Sequence, residues 1–437
     1  YTDPNPFKEF HIGHFMSNAI GESLSRLFEF AHAKVKRANY QGDVGLHVAK
    51  ALWGMRKIGK IADAAALGRA YAVGAMAYEK DERAKKEIEE INQAVYHRSD
   101  EEINKLYDKG RELSLQKFEI IYKRLGTKFD YYFFESETSS AGQEIVARHR
   151  DIFEQSDGAL VFRGEKYGLH TRVFITSAGI PTYETKDLGL LQKKYETWPF
   201  DLSVTVTANE QKEYFEVVKK VMAEIMPELA ENVEVITHGL LRLTSGKMSS
   251  RTGDVVTGEL FLDELKTRAL EKLVRIDENA REDVADQIGV AAVKYAILQQ
   301  SIGKDTVFDK EKSLSFEGDS GPYLQYTHAR ARSVVEKANS NKLTSISTLK
   351  NPSDALRAIE RLLLWFPDAV AEALKASDPH YIATYCADLA QAFNSFYAKE
   401  RILGADDESY KLALTEAVAI TLKNSLWLLG ILAPERM

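Results

Sequence analysis

The chain has 437 residues, of which 44% are apolar and 28% are charged, and its formal net charge is −7. This length exceeds the size at which a single core stops growing, so we expect two or three domains. The composition excludes a disordered chain, and the apolar runs are too short to cross a bilayer. The negative net charge excludes nucleic-acid binding through a global positive field.

The single cysteine, Cys386, limits the kinds of site that the chain can hold. One thiol excludes a disulfide framework and a multi-thiolate zinc site, and we expect no resident metal. Because Cys386 lies in an apolar helical stretch, we expect it to pack in a core rather than act as a nucleophile. A chain with so few thiols is typical of a reducing compartment, so we expect a cytoplasmic protein.

At the start of the chain, an apolar stripe predicts a helix over residues 17–33, with His14 in its first turn. The stripe consists of Ile20, Leu24, Leu27, Phe28 and Ala31. Residues 34–39 are predicted to form a strand, and residues 42–45 the turn that follows it. This order predicts a doubly wound α/β sheet. Because Tyr1 leaves little room for a strand before the helix, we expect a preceding segment to have been removed.

Residues 60–125 are dense in charges of alternating sign and are predicted to be solvated helices. Alternating apolar residues predict strands at 173–175, 202–206 and 233–236, so the helical segment divides the sheet. After about residue 258 only helices are predicted. Their apolar stripes, which indicate a bundle, are Leu324, Ala331, Val334, Val335 and Ala338 in one helix, and Leu389, Phe393, Phe396 and Tyr397 in another.

These patterns predict three domains. An α/β domain covers residues 1–257, with a helical insertion at about 60–160. A helical connecting segment follows at 258–305, and a helical domain at 306–437. Residues 340–353, which are rich in Ser, Asn, Lys and Thr, are predicted to be a loop between two helices of that last domain.

The sequence His11-Ile12-Gly13-His14 lies where the first helix is predicted to begin. A helix N-terminus offers free N–H groups and partial positive charge, and Gly13 lets the backbone approach a phosphate closely. His11 and His14 can donate hydrogen bonds to charge that develops on a phosphate as its leaving group departs. The alternatives are half of a metal site or an ordinary pair of surface histidines.

A second motif, at residues 246–253, places Lys247 and Arg251 on a short Ser-rich loop between two glycines. A lysine on such a loop can neutralise the phosphates of a nucleotide in the transition state, which raises the rate rather than only the affinity. The alternative is a solvated surface loop. Together, the two motifs indicate a site that activates a substrate with ATP.

Six blocks along the chain, in order, resemble the arginyl-tRNA synthetases, a family of class I aminoacyl-tRNA synthetases. The blocks are residues 3–5 ahead of His11, 42–45, 181–187, 246–256, 314–318 together with 321–326, and 433–437. The resemblance implies a Rossmann-type parallel-sheet catalytic domain with a helical insertion, followed by an all-α anticodon-binding bundle. It also implies an arginine–tRNA ligase that forms arginyl-adenylate from ATP and L-arginine and then transfers the arginyl group to the 3′ end of tRNA(Arg).

The resemblance implies roles for individual residues at the amino acid. Asn5 and Gln211 match the positions that hold its α-amino and carboxylate end, while Tyr183 and Asp187 match those that hold the guanidinium. Glu135 matches a second acidic partner, with Glu137 as the alternative. Paired carboxylates suit a planar, permanently charged fork of donors. Without the resemblance, a structural pair on one helix face would be the favoured interpretation of Tyr183 and Asp187.

The resemblance also implies residues for ATP, which would bring Mg²⁺ with it. His11, His14 and Lys247 are the predicted catalytic residues. The predicted ATP-binding residues are Gly13, His14, Gly42, Asp43, His238, Lys247, Met248, Ser249 and Arg251. The family's loop often carries a second lysine where Ser250 stands here, and whether Arg251 replaces that charge stays open.

Basic and aromatic side chains alternate along the helix predicted after Pro322, including His328 and Lys337, an arrangement that suits a single-stranded RNA loop. The predicted tRNA-binding residues are Tyr323, Arg330, Arg332, Tyr397 and Met437. The resemblance further implies a monomer, activation that needs bound tRNA, and an N-terminal domain for the tRNA elbow that this sequence does not contain.

Other functions stay open at this stage. A cysteinyl class I synthetase would need thiolates for zinc, which a single cysteine does not provide. A class I lysyl enzyme is harder to dismiss, but the pattern of Tyr183, Asp187 and Gln211 favours arginine. A non-catalytic tRNA-binding paralogue should have lost His11, His14 or Lys247, and a nucleotidyl-transferring enzyme should lack the helical bundle.

Overall fold

The computed structural model describes residues 1–59, 61–244, 257–273, 278–339 and 353–437. It divides into two compact units. The first comprises residues 1–10, 36–123 and 128–238, and the second comprises residues 11–35, 124–127 and 239–437.

Helices make up most of the described residues, and strands are short. The helices are α1 (Gly13–Phe30), α2 (Leu46–Ile58), α3 (Ala64–Lys80), α4 (Glu82–His97), α5 (Glu101–Leu125), α6 (Glu135–Arg148), α7 (Tyr183–Thr197), α8 (Lys212–Ile225), α9 (Pro227–Ala230), α10 (Gly258–Lys272), α11 (Glu278–Leu298), α12 (Lys310–Ser313), α13 (Gly321–Asn339), α14 (Asp354–Ala376), α15 (His380–Lys399) and α16 (Glu408–Leu428). The strands are β1 (Ala38–Gln41), β2 (Tyr131–Phe134), β3 (Glu154–Ser156), β4 (Ala159–Phe162), β5 (Arg172–Ile175), β6 (Ser203–Ala208), β7 (Val233–His238), β8 (Leu241–Leu243) and β9 (Thr306–Phe308).

The first unit contains two parallel strand pairs, which confirms the parallel-sheet prediction. Strand β1 pairs with β2 so that Gln41 lies beside Phe134, and β6 pairs with β7 so that Ala208 lies beside His238. The residues that follow each pair therefore meet at one edge, the carboxyl end of the strands, where open α/β sheets bind their ligands. Strands β3, β4 and β5 form a separate antiparallel sheet.

Strands at 173–175, 202–206 and 233–236 are confirmed within one or two residues by β5, β6 and β7. The strand expected at 34–39 begins only at Ala38, because the preceding Lys- and Arg-rich residues are exposed or half-buried. Strands β2 and β3 and the start of β4 lie inside the range 60–160 of the predicted helical insertion, so that range is not wholly helical. The sequence of β2, Tyr-Tyr-Phe-Phe, has no alternation to reveal it. The prediction of no strand after residue 258 is wrong, since the three-residue β9 pairs with β8.

The charged segment after residue 60 forms α3, α4 and most of α5, as predicted. The carboxylates of Asp63 and Asp81 cap the first amides of α3 and α4, a standard signal for a helix start. The apolar faces of these helices and of α2 form one core cluster, which includes Val48, Leu52 and Ile88. The insertion is therefore not solvated on every side, since it encloses a core of its own.

The second unit is largely helical. Helix α1 begins at Gly13 rather than at residue 17; Ile20, Leu24 and Leu27 are buried as predicted, whereas Ala31 is exposed beyond its end. In the bundle of α13 to α16, the predicted stripes are buried except for Tyr397, which is 42% exposed. Cys386 is fully buried, and burial raises the pKa of its thiol, so the packing role is confirmed. Of the helices described, none combines the length and apolarity needed to span a bilayer.

Candidate functional site

The two histidines of the first motif lie at the start of α1, in the second unit. Their rings stack with centroids 3.9 Å apart. The amide of Gly13 donates to His11 Nδ1 at 3.1 Å, so the neutral His11 ring carries its proton on Nε2, which makes Nε2 a donor. A Cβ on Gly13 would lie 2.9 Å from the His11 ring, so a larger residue there would displace this ring. Ile12 provides no side-chain cap, but the amides of Gly13 and His14 are not free, because they donate to His11 Nδ1 and to the His11 carbonyl.

The first unit brings together Asn5, Gly42 and Glu135. Gly42 follows β1 and Glu135 follows β2, so the parallel register places them side by side. A Cβ on Gly42 would lie 2.5 Å from Asn5 Oδ1 and 2.9 Å from Glu135 Oε1. The two side chains thus converge over the backbone of residue 42, which explains why a glycine stands there.

Asp43, predicted as an ATP ligand, has no exposed surface. Its carboxylate accepts hydrogen bonds from the amide and hydroxyl of Ser136 at 2.9 and 2.7 Å and from the Tyr107 hydroxyl at 2.8 Å. Arg111 forms an ion pair with it at 3.0 Å. In this structure Asp43 therefore fixes the start of α6 against α5, and its carboxylate is not open to a nucleotide.

The two alternatives for the second acidic partner lie in different places. Glu135 is 5% exposed, and the Lys186 ammonium donates to its Oε2 at 2.7 Å. Glu137 is exposed and lies 3.6 Å from Lys193 on the surface. The geometry thus favours Glu135 as the acid that accompanies Asn5 and Gly42.

Helix α7 carries Tyr183, Lys186 and Asp187. The Asp187 carboxylate accepts a hydrogen bond from the Tyr214 hydroxyl at 2.5 Å. Burial raises the pKa of Asp187 to about 7; the nearby Glu135 carboxylate adds to the shift, and the Tyr214 hydrogen bond opposes it. Tyr183 is 57% exposed, while its ring centroid lies 5.0 Å from the Lys186 ammonium. Tyr183 and Asp187 thus lie on one face of α7, as their spacing of four residues predicts.

Further charged side chains surround this group. Lys8 is half-buried, and burial lowers the pKa of its ammonium. The charge of Lys50 adds to this shift, and the charge of Glu135 opposes it. The His47 ring lies 2.8 Å from the Gly42 carbonyl, and burial lowers its pKa to about 3, so this histidine is neutral. Burial raises the pKa of Glu135 itself, and the nearby charges of Lys186 and Lys8 oppose that shift.

Gln211 and His238 lie at the carboxyl end of the other strand pair. Gln211 is exposed in the turn after β6, and His238 is the last residue of β7, with only 5% of its surface exposed. Throughout the described ranges, no three His, Cys, Asp or Glu side chains are grouped so that they could hold a metal ion.

A cavity of 400 Å³ opens in the first unit. It is lined by the corner between α4 and α5, the first half of α6 and the loop before α7, including Tyr96, Arg111, Glu137 and Pro181. Among the candidates for arginine, Glu137 alone lines this cavity, whereas Glu135 does not. The choice between the two acids is therefore also a choice between two places in the unit.

The predicted tRNA-binding helix is α13. The Arg330 guanidinium lies 4.6 Å from the ring centroid of Tyr326 and 5.2 Å from that of Tyr397, so the three form one stack. Arg332 donates to Glu435 at 2.7 Å. The expectation that His328 faces RNA is wrong, because its side chain is fully buried and its Nδ1 lies 3.0 Å from the Ala419 carbonyl. Tyr323 and Met437 are half-buried.

Several predicted residues lie outside the described ranges: Lys247, Met248, Ser249, Ser250 and Arg251, together with most of the predicted loop at 340–353. Conversely, the sequence analysis missed Lys186 and Tyr214. Lys186 stands inside the motif at 181–187, but a lysine in a helix is usually solvated, and nothing in the sequence indicates its burial.

Comparisons with known proteins agree on one family. Residues 1–310 match the family described as tRNA synthetases class I (R), catalytic domain, and residues 324–437 match the DALR anticodon binding domain. The arginine–tRNA ligase of Ligilactobacillus salivarius is 33% identical over 100% of this chain and 79% of its own length. That of Clostridium perfringens is 31% identical over 100% and 80%.

A solved structure supports the same conclusion. The arginyl-tRNA synthetase of Thermus thermophilus superimposes with a TM-score of 0.83 at 25% identity, over 99% of this chain and 82% of that one. The family model covers well over half of this chain, and the curated relatives are matched over most of their length. The chain therefore belongs to the arginyl-tRNA synthetases, class I enzymes that use ATP to join arginine to tRNA.

Proposed function

We propose that the chain binds L-arginine in the first unit, at the carboxyl end of β1 and β2, and that the turn at the start of α1 acts on ATP. The observation that carries the proposal is the convergence of Asn5 and Glu135 over Gly42. Asp187 is close enough to Glu135 for the two carboxylates to influence each other's ionisation. A cationic amino acid needs this combination of an amide for its backbone end and acids for its side chain.

In the first step, the arginine carboxylate attacks the α-phosphorus of ATP in line, and pyrophosphate leaves. His11, with Nε2 as donor, and His14 stabilise the developing negative charge, together with Lys247. Asn5, Tyr183, Asp187 and Gln211 hold arginine in position for attack. In the second step the terminal adenosine hydroxyl of tRNA(Arg) takes the arginyl group and AMP leaves.

Recognition of arginine rests on charge and shape. A guanidinium is planar and charged at every physiological pH, so it can pair with a carboxylate through two parallel hydrogen bonds. A neutral analogue would leave the half-buried Asp187 without an ionic partner, with only the Tyr214 hydrogen bond remaining. A site built to bind a polar group rejects an analogue that lacks this group by roughly 10⁴–10⁵-fold, so a separate editing site is unnecessary.

The residues proposed for the nucleotide are Gly13 and His14 in the second unit, Gly42 and His238 in the first, and Lys247, Met248, Ser249 and Arg251 in the motif at residues 246–253. Asp43 would support this site indirectly, because its carboxylate fixes the Gly42 turn. Mg²⁺ enters as part of the substrate, MgATP, whose phosphate oxygens are its preferred ligands. It supplies charge neutralisation on the phosphates.

For tRNA, we propose the surface of α13 and the bundle end that carries Tyr323, Arg330, Arg332, Tyr397 and Met437. The support is the stack of Arg330 between two tyrosine rings, an arrangement on which an unpaired base can stack. The proposed domains are 1–257, 258–305 and 306–437, and we propose that the enzyme is a cytoplasmic monomer.

Pyrophosphate exchange, measured with full-length tRNA present and with arginine, lysine and cysteine in parallel, tests the proposal. We expect exchange with arginine, none with cysteine, and none with lysine. Exchange with lysine and not with arginine would instead indicate a class I lysyl-tRNA synthetase. Without tRNA, arginine exchange should be lost, and its persistence would contradict the tRNA requirement that the proposal includes.

A further inference from the structure

Lys186 is a buried lysine inside the candidate arginine pocket that the proposed mechanism does not use. Only 3% of its surface is exposed. It lies on α7 between Tyr183 and Asp187, the two residues proposed to hold the guanidinium. Its ammonium donates to Glu135 Oε2 at 2.7 Å and lies 5.4 Å from the ring centroid of Tyr96 and 5.0 Å from that of Tyr183. A buried cation of this kind requires a partner, and Glu135 provides it.

The contact with Lys186 determines what Glu135 can offer a ligand. One carboxylate oxygen, Oε2, is engaged by the ammonium, whereas the other, Oε1, faces the backbone of Gly42 beside Asn5. The carboxylate is therefore held in one orientation from both sides. Removing one partner from a buried ion pair leaves the other charge uncompensated, which is strongly unfavourable, so Glu135 without Lys186 would tend to leave its position.

The balance of charge in the pocket leads to the same residue. Glu135 and Lys186 cancel each other, while no ion pair in the described part of the chain involves Asp187. Among Glu135, Lys186 and Asp187, the charge left over is therefore that of the Asp187 carboxylate, which matches a substrate side chain with one positive charge. A second carboxylate without a cation of its own would instead repel Asp187, and one of the two acids would take up a proton.

We propose that Lys186 is a positioning residue for arginine, which holds the Glu135 carboxylate and cancels its charge so that Asp187 alone balances the guanidinium. This inference rests on the proposed function, because the assignment of the pocket to arginine comes from it. Lys186 does not touch the reacting atoms; it acts through Glu135.

Lys186 also affects the pH dependence of arginine binding, because its positive charge lowers the pKa of Asp187. The titratable groups that face Asp187 come from strand β1 and helices α6, α7 and α8, and they are Tyr40, Glu135, Glu184, Lys186, Lys194 and Tyr214. Among these, removal of Lys186 deletes a positive charge adjacent to Asp187. Asp187 would then ionise at a higher pH, and arginine binding would need a higher pH.

The test compares Lys186→Met, Lys186→Arg and wild type in arginine-dependent pyrophosphate exchange with tRNA, at pH values from 6 to 9. For Lys186→Met we expect the KM for arginine to rise about tenfold or more, with the KM for ATP little changed. The pH at which the arginine KM stops falling should move upward by about one unit. Lys186→Arg keeps the charge and a donor for Glu135, so it should stay within about threefold of wild type.

Lys193→Met is the matched control, because Lys193 lies on the same helix and its ion pair with Glu137 is partly exposed. It should behave as wild type. If thermal unfolding shows that Lys186→Met does not fold, Lys186→Gln replaces it, since glutamine keeps a donor but not the charge. We expect the same upward shift of the pH at which the arginine KM stops falling.

An unchanged arginine KM together with an unchanged pH profile in Lys186→Met or Lys186→Gln would overturn the inference. So would a Lys186→Arg variant as impaired as Lys186→Met, because positioning by charge predicts rescue. The proposed function fails in a different way: wild type itself would then show no exchange with arginine.

Discussion

Each unit of the chain contains a lysine that is almost completely buried, and the two are held in opposite ways. Lys186, in the first unit, donates to the Glu135 carboxylate. Lys294, in the second unit, is 1% exposed and donates to the carbonyls of Leu125 and Gly430 at 2.6 and 2.7 Å. Both ammonium groups have good hydrogen bonds, but only the first has a direct ion pair.

Their ionisation differs accordingly. Burial tends to lower the pKa of both lysines. For Lys186 the Glu135 carboxylate outweighs burial, and the pKa is raised. For Lys294 burial and the charge of Arg26 together lower the pKa to about 7. A buried lysine beside a carboxylate keeps its charge and can organise a pocket for ions. A buried lysine beside carbonyls tends to lose its charge and joins chain segments, here the end of α5 and the second residue after α16.

The largest expected effect comes from removing the charge of Asp187, the acid that does not form an ion pair with Lys186. Asp187→Asn keeps the size of the side chain and removes its charge, so the guanidinium loses its ionic partner. We expect kcat/KM for arginine to fall by about 100-fold or more, because truncating one side of a buried charge pair costs about 2–5 kcal/mol. Steady-state exchange kinetics, with the KM for ATP as a second readout, measure this.

Glu196→Gln, an exposed acid on the same helix, is the control and should leave the kinetics unchanged. Equal losses in the use of arginine and the affinity for ATP would remove Asp187 from the amino-acid pocket.

The next effect tests the other lysine. In Lys294→Met the carbonyls of Leu125 and Gly430 lose their donor, which we expect to lower the free energy of unfolding by about 1–3 kcal/mol at pH 10. The folded pKa of about 7 lies below the unfolded value of about 10.4, so wild type gains stability as the pH rises through that window. The Met variant lacks this gain.

Urea unfolding of both proteins at pH 7 and pH 10 measures the difference. The gap between wild type and variant should widen with pH, and a gap independent of pH would show that Lys294 keeps its charge in the fold. The KM for arginine should stay that of wild type.

The smallest expected effect concerns a cation on the surface, Arg330, between Tyr326 and Tyr397. If this stack receives tRNA, Arg330→Ala should weaken tRNA binding by about 1 kcal/mol, or roughly fivefold, and leave the arginine KM unchanged. Filter binding at several salt concentrations measures the affinity. An unchanged affinity at every salt concentration would exclude this surface from the tRNA interface.

The sequence predicts some parts of this molecule well and others poorly, for physical reasons. The helix that carries His14 and the helices after residue 258 follow from apolar stripes, because each presents one face to a core. Strands β2 and β9 were missed, since three or four residues are too few to display a period of two. The convergence of Gly42 and Glu135 depends on that missing strand, so spacing along the chain does not reveal it.

The candidate site shows the same division. Tyr183 and Asp187 lie on one helix face, as a spacing of four residues predicts. The burial of Lys186 between them, and the use of Asp43 as a fixed partner of Ser136, depend on tertiary packing that a sequence pattern does not encode. Both findings concern charged residues inside the unit, where composition alone predicts exposure.

The most direct test of the account is the affinity for L-arginine, measured by calorimetry on the tRNA-bound enzyme at pH 6 and pH 8. Asp187 has a folded pKa of about 7, far above its unfolded value of about 3.9. Its protonation stabilises the free fold at low pH, and that contribution is lost as the pH rises through 7, whereas the ionised form that binds guanidinium becomes populated.

We therefore predict that wild type binds arginine about tenfold more tightly at pH 8 than at pH 6, and that Asp187→Asn binds weakly and equally at both. An Asp187→Asn variant that keeps the wild-type affinity and its pH dependence would contradict the account.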